Sequence, residues 1–351
     1  MNIKSLQNIL KDHEAFLVTS EVSRLYLTGF SSSDGYLIIK KNDVCFFTDG
    51  RYIEDAQKKI TSCSSELFDG FDKIKSFLSD DIKTIFVEND YMTISELEKY
   101  KKIFNNYLIS EKNILNSSLS EMRSIKNDDE IESLKKAQLI AEKAFYEILN
   151  YIKEGRTEIE VASYLEYCMR KSGGEKISFE TIVVSGKSSS VPHGVPTEKK
   201  ICNGDFVTMD FGTVINGYHS DMTRTIVVGK ADEKQKEIYQ TVLKAQTSAI
   251  ETVKSSIRCS DVDKAARDVI EKAGYGNFFC HSTGHGVGLE IHENPAVSPK
   301  SDKILSTGNV ITIEPGIYLP GKFGVRIEDF GVVTENGFIN FTKADKSLIE
   351  I

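Results

Sequence analysis

Along roughly the first 115 residues, short apolar runs alternate with stretches of helical spacing. Phe16 to Thr19, Tyr36 to Ile39, Val44 to Thr48 and Thr84 to Val87 have the length and apolar content of strands, with candidate helices between them. The pattern predicts a small α/β domain. From Leu115 to Asp129 the chain turns polar, which predicts a linker and divides the sequence into 1–120 and 121–351. Asn127, followed three residues later by Glu130, has the form of a helix start. Ile131, Leu134, Ala137, Ala141, Phe145, Ile148 and Ile152 then recur at helical spacing, so a long amphipathic helix opens the second domain.

The second domain repeats its own pattern. Gly204-Asp-Phe-Val-Thr-Met-Asp210-Phe-Gly212 and Gly308-Asn-Val-Ile-Thr-Ile-Glu314-Pro-Gly316 match in chemical type at nearly every position, with Glu314 lying 104 residues after Asp210. Upstream, Thr157-Glu-Ile-Glu160 and Ser260-Asp-Val-Asp263 both read as capped helix starts at an offset of 103, with ends near Gly173 and Gly274. Helix, connection and strand recur in one order, and an acid occupies the same strand position each time. A duplicated α+β half-domain with pseudo-two-fold symmetry follows, its two acids facing each other.

The strand faces sharpen this. Val207, Met209 and Phe211 share one face, while Phe206, Thr208, Asp210 and Gly212 share the other. Asn216-Gly217 is a strong hairpin turn signal. A tight turn there pairs Ile215 with Tyr218 and sets Asp221 opposite Gly212. Asp210 and Asp221 then become same-face diagonal neighbours at about 7–8 Å between backbones, close enough to hold one cation. Two such acids without a basic partner repel unless metal or protons intervene. Glu314 and Glu328 emerge from apolar strands in the second half in the same way. One of them could be salt-bridged to Arg326, but four inward acids are better explained by metal.

Composition narrows the alternatives. The chain has 351 residues, a net charge of −8 and a pI near 5.5, which disfavours nucleic acid or an anionic membrane as partner. No apolar run approaches a membrane span, and Met1 to Leu10 lacks the order of a signal peptide, so a cytoplasmic protein is expected. The six cysteines are dispersed without C-x-x-C spacing, which suggests neither a thiolate zinc site nor a disulfide framework and predicts that they pack as small apolar residues. Five of the six histidines fall between His193 and His292, which places the chemistry in the second half. His285, flanked by glycines in His281-Ser-Thr-Gly-His-Gly-Val-Gly288, supplies the nitrogen that the carboxylates lack. An oxygen-rich shell with one imidazole favours Mn²⁺, Co²⁺ or Fe²⁺, with Zn²⁺ also compatible. Four carboxylates carry charge enough for two divalent ions and a bridging hydroxide.

The ordered set Val191-Pro-His193-Gly, Met209-Asp210-Phe-Gly, Ser220-Asp221-Met-Thr-Arg-Thr, Ser282-Thr-Gly-His285-Gly, Glu290-Ile-His292-Glu-Asn-Pro, Ile313-Glu314-Pro-Gly and Arg326-Ile-Glu328-Asp strongly resembles the proline-specific metallopeptidases of the pita-bread fold, aminopeptidase P and prolidase. Thr48-Asp-Gly-Arg-Tyr52 resembles a recurrent motif of their N-terminal domain. The resemblance implies an α/β N-terminal domain over 1–120 and a pita-bread catalytic domain over 121–351. It further implies two divalent ions, Mn²⁺ first, with Asp210 and Asp221 on one, His285 and Glu314 on the other, and Asp221 and Glu328 bridging.

In the same resemblance Glu314 is also the proton shuttle, and His193 and His292 are catalytic histidines that touch substrate without ligating metal. His281, Phe179, Tyr318 and Arg326 match positions that line the substrate pocket or hold its polar groups. The implied activity is release of an N-terminal residue from peptides with proline second, by a two-metal-activated hydroxide, in a homodimer. Prolidase, then methionine aminopeptidase, then a catalytically inactive binding homologue are the alternatives.

Overall fold

A computed structural model describes residues 2–351. In the first of its two units, Met1–Arg123, a mixed six-stranded sheet runs in the order Ser64–Leu67, Val44–Thr48, Tyr36–Lys40, Glu14–Val18, Thr84–Val87, Leu108–Ser110. The four central strands are those legible in the apolar pattern, with small shifts at their ends. They read as continuous apolar runs because both faces are covered: Phe16 and Val18 enter one core, Ala15 and Leu17 the other. Ser64–Leu67 and Leu108–Ser110 lie at the edges, where a half-exposed strand needs little apolar character. The stretch expected as a linker is instead largely a helix, Ile114–Ser124. Its Leu115 and Leu119 bury in the first unit's core, so the division falls after Arg123.

The second unit, Ser124–Ile351, is built twice. A long helix and a shorter one, Asp128–Leu149 and Glu158–Lys171, pack together, and Glu233–Thr252 with Cys259–Lys272 repeats the pair. Asn127, Thr157 and Asp232 close reciprocal capping boxes. The fourth helix departs from expectation: it starts after Arg258, which makes no side-chain cap bond, so Ser260 lies inside the first turn. The shorter helices are therefore offset by 259 − 158 = 101 residues. Gly173 and Gly274, at φ 103° and 85°, follow the two helix ends in the left-handed region at that same offset.

Each helix pair covers one face of a sheet. In the first half, Phe145 and Leu165 pack on Val207, Met209 and Phe211. Here the three strands are Ile182–Ser185, Phe206–Phe211 and Met222–Val227. In the second half, Val242 and Ala266 pack on Ile311 and Ile313. Its sheet contains Gly284–Gly286, Glu293–Val297, Val310–Ile313, Asp329–Val333 and Phe338–Asn340, with the hairpin Gly316–Leu319/Phe323–Arg326 beside it. The halves are joined through backbone: the amide of Glu328 donates to Thr223 O at 3.2 Å. All six cysteines are free thiols. Cys45, Cys168 and Cys259 are buried, whereas Cys202 and Cys280 are exposed, contrary to their expected role as core residues.

A second joint is ionic. Arg224 is 1% exposed, and its Nη2 donates to Asp329 Oδ1 at 2.8 Å. The remaining guanidinium hydrogens go to backbone oxygens of Thr223, Glu328, Ala344 and Asp345. Asp329 also accepts from Gln246, Asn340 and Lys346. Burial pushes its carboxyl up, but Arg224 and Lys346 outweigh burial and hold it below the usual range. Removing one partner strands the other charge in the interior. Asp329→Ala is therefore expected to cost about 3–5 kcal/mol in chemical denaturation, and a loss under about 1 kcal/mol would contradict this assignment.

Candidate metal centre and substrate cavity

The hairpin register brings the first two acids together. Phe206–Phe211 pairs with Met222–Val227 through Phe211↔Met222 and Asp210↔Thr223, and Ile215 pairs with Tyr218 across the Asn216-Gly217 turn. Asn216 and Gly217 both have positive φ, 53° and 81°. Continuing the register sets Asp221 across from Gly212. A Cβ on Gly212 would lie 1.9 Å from Ser220 O, so only glycine allows the strands this approach. In the second half, Ile313↔Asp329 and Gly316↔Arg326 belong to one register, which sets Glu314 opposite Glu328. Between these pairs each acid's amide turns elsewhere, Glu314 N to Thr283 O and Glu328 N to Thr223 O. The ladder opens there, at the carboxylates.

His285 enters from the strand Gly284–Gly286. Its Nε2 lies 3.4 Å from Glu314 Oε1 and 3.6 Å from Asp221 Oδ2. Ligand atoms of Asp221, His285 and Glu328 all fall within 4.8 Å of one another. Nδ1 of His285 is directed at Gly286 O, 3.0 Å away, which leaves Nε2 facing the acids. Burial lowers its pKa to about 4, so the imidazole is neutral and its lone pair available at pH 7. The acids are driven the opposite way. Burial, then Asp210 and Glu314, raise Asp221 well above its usual value. Burial, then Asp221, Glu314 and Asp210, do the same to Glu328. Burial also lifts Glu314 to about 8.

Protein groups do not satisfy this cluster. Among the described residues, Asp210 Oδ1 and Glu328 Oε1 are buried without a hydrogen-bond partner. Buried carboxylate oxygens that repel each other and lack donors fit divalent cations, and the oxygen-rich set with one imidazole suits Mn²⁺, Co²⁺, Fe²⁺ or Zn²⁺. Two threonines missed in the sequence hold the acids in place. Thr223 Oγ1 donates to Glu328 Oε2 at 2.8 Å, and Thr312 Oγ1 lies 3.3 Å from Glu314 Oε1 while accepting from His285 N. Their signal was present in the alternation, since Thr223 and Thr312 each stand two residues from an acid on the same strand face.

A cavity of about 570 Å³ opens onto the cluster, lined in part by Phe179, His193, His281, His292 and Arg326. Phe179 reaches it from an irregular edge. Between the bridges Ile177↔Thr213 and Ile182↔Asp210, residues 178–181 oppose only Phe211 and Gly212, so the edge bulges there. The His292 ring lies 4.3 Å from that of His285, centroid to centroid, and burial lowers its pKa, with His193 adding to the effect. Burial lowers His281 to about 4.

Tyr318 is buried, its hydroxyl bonded to His281 Nε2 and Arg326 Nη1, each at 2.9 Å, so it holds two polar groups of the cavity rather than lining the cavity itself. Arg326 is likewise committed to protein. Nε donates to Thr223 Oγ1, Nη1 to Pro192 O, and Nη2 to Asp210 Oδ2 at 2.6 Å. Burial alone would lower its pKa, yet Tyr318, Asp210 and Glu314 raise it, so its charge is fixed.

Comparison with known proteins agrees with this arrangement. Residues 132–335 match the model of metallopeptidase family M24, and residues 2–125 match the Creatinase/Prolidase N-terminal domain. The Xaa-Pro dipeptidase of Pyrococcus furiosus is 40% identical over 337 residues, covering 95% of this chain and 94% of the relative. Among solved structures, the Xaa-Pro dipeptidase from Bacillus anthracis superposes with a TM-score of 0.94 at 40% identity, covering 100% of this chain and 98% of that one. The X-Pro aminopeptidase from Thermotoga maritima gives 0.91 at 36% identity, covering 99% and 98%. The second unit has the pita-bread fold that the motif resemblance implied. The chain is a member of metallopeptidase family M24, with a Creatinase/Prolidase N-terminal domain preceding a metal-dependent peptidase domain.

Proposed function

We propose that the chain is an Xaa-Pro aminopeptidase that removes the N-terminal residue from peptides with proline in second position, using two divalent ions. Asp210, Asp221, His285, Glu314 and Glu328 would hold the ions, which when bound supply Lewis acidity and lower the pKa of water. The rest of the chemistry belongs to the chain's own groups. Glu314 holds and passes a proton at its carboxylate. The prolyl nitrogen carries no hydrogen of its own and must gain one to leave. His193 and His292 flank the cavity without entering the carboxylate cluster and steady charge on the carbonyl and the leaving nitrogen. His281, held by Tyr318, and the ring of Phe179 border the space for substrate.

The preference for peptides over dipeptides rests on one observation, the cation balance of the cavity. A dipeptide presents a free carboxylate beside proline. Among the described residues Arg326 is the only Lys or Arg lining the cavity, and four of its five N–H donors are engaged by Asp210, Tyr318, Thr223 and Pro192. A second reading, Xaa-Pro dipeptidase, is favoured by the names that the Pyrococcus furiosus and Bacillus anthracis relatives carry.

Three outcomes test these assignments. With Mn²⁺ present, Ala-Pro-Ala should be cleaved and Ala-Pro should be a poor substrate; cleavage of the dipeptide alone would establish the second reading. Asp221→Ala and Glu328→Ala should lose bound metal and activity together in elemental analysis and turnover assays. His292→Ala should keep its metal and lose on the order of 10²–10⁴ in turnover, and metal loss in that variant would move His292 into the ligand set.

A further outcome concerns pH. Raised carboxyl pKa values mean that the ion-free folded chain keeps protons that the unfolded chain has released. Its stability therefore falls as pH rises from the ordinary Glu value of 4.5 toward the Glu314 value of about 8. Cations must displace those protons, so Mn²⁺ affinity should rise across the same window with proton release. Calorimetry in two buffers of different ionisation enthalpy reads this directly, and a pH-independent affinity would contradict it.

A further inference from the structure

The segment carrying His193 is a loop with an unusual base. It leaves the strand Ile182–Ser185, makes a short 3₁₀ turn over Gly186–Ser190, passes through Val191-Pro192-His193-Gly194-Val195-Pro196 and returns at Thr197. Both ends close on one carboxylate, Glu158, the first residue of the helix Glu158–Lys171, which is 0% exposed. Oε1 accepts from Ser185 N at 2.7 Å and Ser185 Oγ at 2.9 Å. Oε2 accepts from Thr197 N at 3.1 Å and Thr197 Oγ1 at 2.7 Å. Lys199 secures the same base, its Nζ donating to Ser185 Oγ and to Asp205.

Nothing comparable holds the imidazole. His193 is exposed, and no hydrogen bond to its ring occurs among the described residues, whereas His281 and His285 each have a backbone carbonyl at Nδ1. The direction of the His193 ring is therefore set by the loop. The loop in turn is fixed at its base by Glu158 and along its course by Ser189, whose Oγ accepts from Gly324 N, and by Arg326, which donates to Pro192 O.

The other half of the unit uses the same device. Asp263, on the helix Cys259–Lys272, accepts with Oδ1 from both Thr283 N and Thr283 Oγ1. Thr283 precedes the strand that carries His285. A buried helix acid thus fastens a Ser or Thr on the segment that carries a functional histidine in each half. On the second side the acid is also paired with Arg267; on the first, its second oxygen reaches across to Thr197 and closes the loop.

We propose that Glu158 is a positioning residue for catalysis: by clamping Ser185 to Thr197 it holds the His193 imidazole at the cavity. The proposal rests on His193 acting in the reaction as assigned above. A misplacement of about 1 Å in a catalytic group can cost on the order of 10²-fold. Glu158→Gln preserves shape but presents an amide donor to donors already in place, so one end of the loop is released. Thr197→Val removes a single hydroxyl from the clamp and serves should the first variant fold poorly.

The test is a double-mutant cycle with His193→Ala, reading kcat and KM on Ala-Pro-Ala together with bound metal. Glu158→Gln is expected to lower kcat on the order of 10- to 100-fold with metal content unchanged. Thr197→Val should lower it by a smaller factor. Both losses should shrink to less than about 2-fold in the His193→Ala background, because the group being positioned is gone. Equal losses in both backgrounds, or full activity of Glu158→Gln, would overturn the proposal. An inactive wild-type chain would instead remove the peptidase reading on which it rests, so the two failures are distinguishable.

Discussion

Mutual repulsion among buried carboxylates is the constraint around which the second unit is built. Asp210, Asp221, Glu314 and Glu328 share one enclosed space, and Asp221, Glu314 and Glu328 are all raised from their ordinary pKa values. Such a group would relax outward on a flexible scaffold. Here Asp210 projects from a strand whose opposite face is packed against helices through Met209 and Phe211, and Asp221, Glu314 and Glu328 each stand directly next to the end of a strand. Relaxation would therefore require a strand to roll and expose its apolar side. Hydrophobic packing supplies the stiffness, and the carboxylates hold the resulting electrostatic tension until protons or cations relieve it.

The surrounding charges are arranged so as not to relieve that tension fully. Arg326 reaches Asp210 but spends its other donors on Thr223, Tyr318 and Pro192 O. Its fixed charge offsets one acid and ties the first hairpin to the second. Arg224 lies beside the cluster in sequence and structure, yet it serves Asp329 and the backbone around Glu328 rather than the acids. A cation free to swing into the cluster would neutralise it and compete with metal. Tying the two arginines into networks of their own keeps the acids available.

Much of this was legible in the sequence because it depends on period and register. The turn at Asn216-Gly217 and alternation along Phe206–Phe211 are enough to set Asp221 against Gly212, and the 104-residue repeat puts Glu314 in the role of Asp210. What the pattern did not reveal depends on contacts made by polar side chains. The segment 115–124 reads as polar because only Leu115, Leu119 and Met122 face the core, which is too few apolar positions to stand out against Asn116, Ser117 and Ser118. Which pocket role Tyr318 takes, lining the wall or holding polar groups, is decided by its hydroxyl. A buried hydroxyl needs partners, and it finds them in His281 and Arg326, both of which line the cavity. Glu158 reads as an ordinary acid in a helix's first turn, where the helix dipole alone would justify it.

The duplication explains why one side needs a loop clamp and the other does not. In the second half, His285 sits on a strand and takes its direction from neighbouring strands, with Thr312 bonding its amide. A helix acid fastening Thr283 is sufficient there, because the histidine follows within the same ladder. In the first half the corresponding strand, Ile182–Ser185, ends before His193, and the chain must travel through a turn and two prolines before it returns. Pro192 and Pro196 limit the backbone on either side of His193 but cannot fix where the loop as a whole points. That requires joining its two ends to a rigid element, and Glu158 has one oxygen for each end. The two halves thus answer one requirement, a histidine aimed at a common centre, by ladder on one side and by clamp on the other. The clamped histidine is the exposed one, placed where it can meet a substrate entering from solvent.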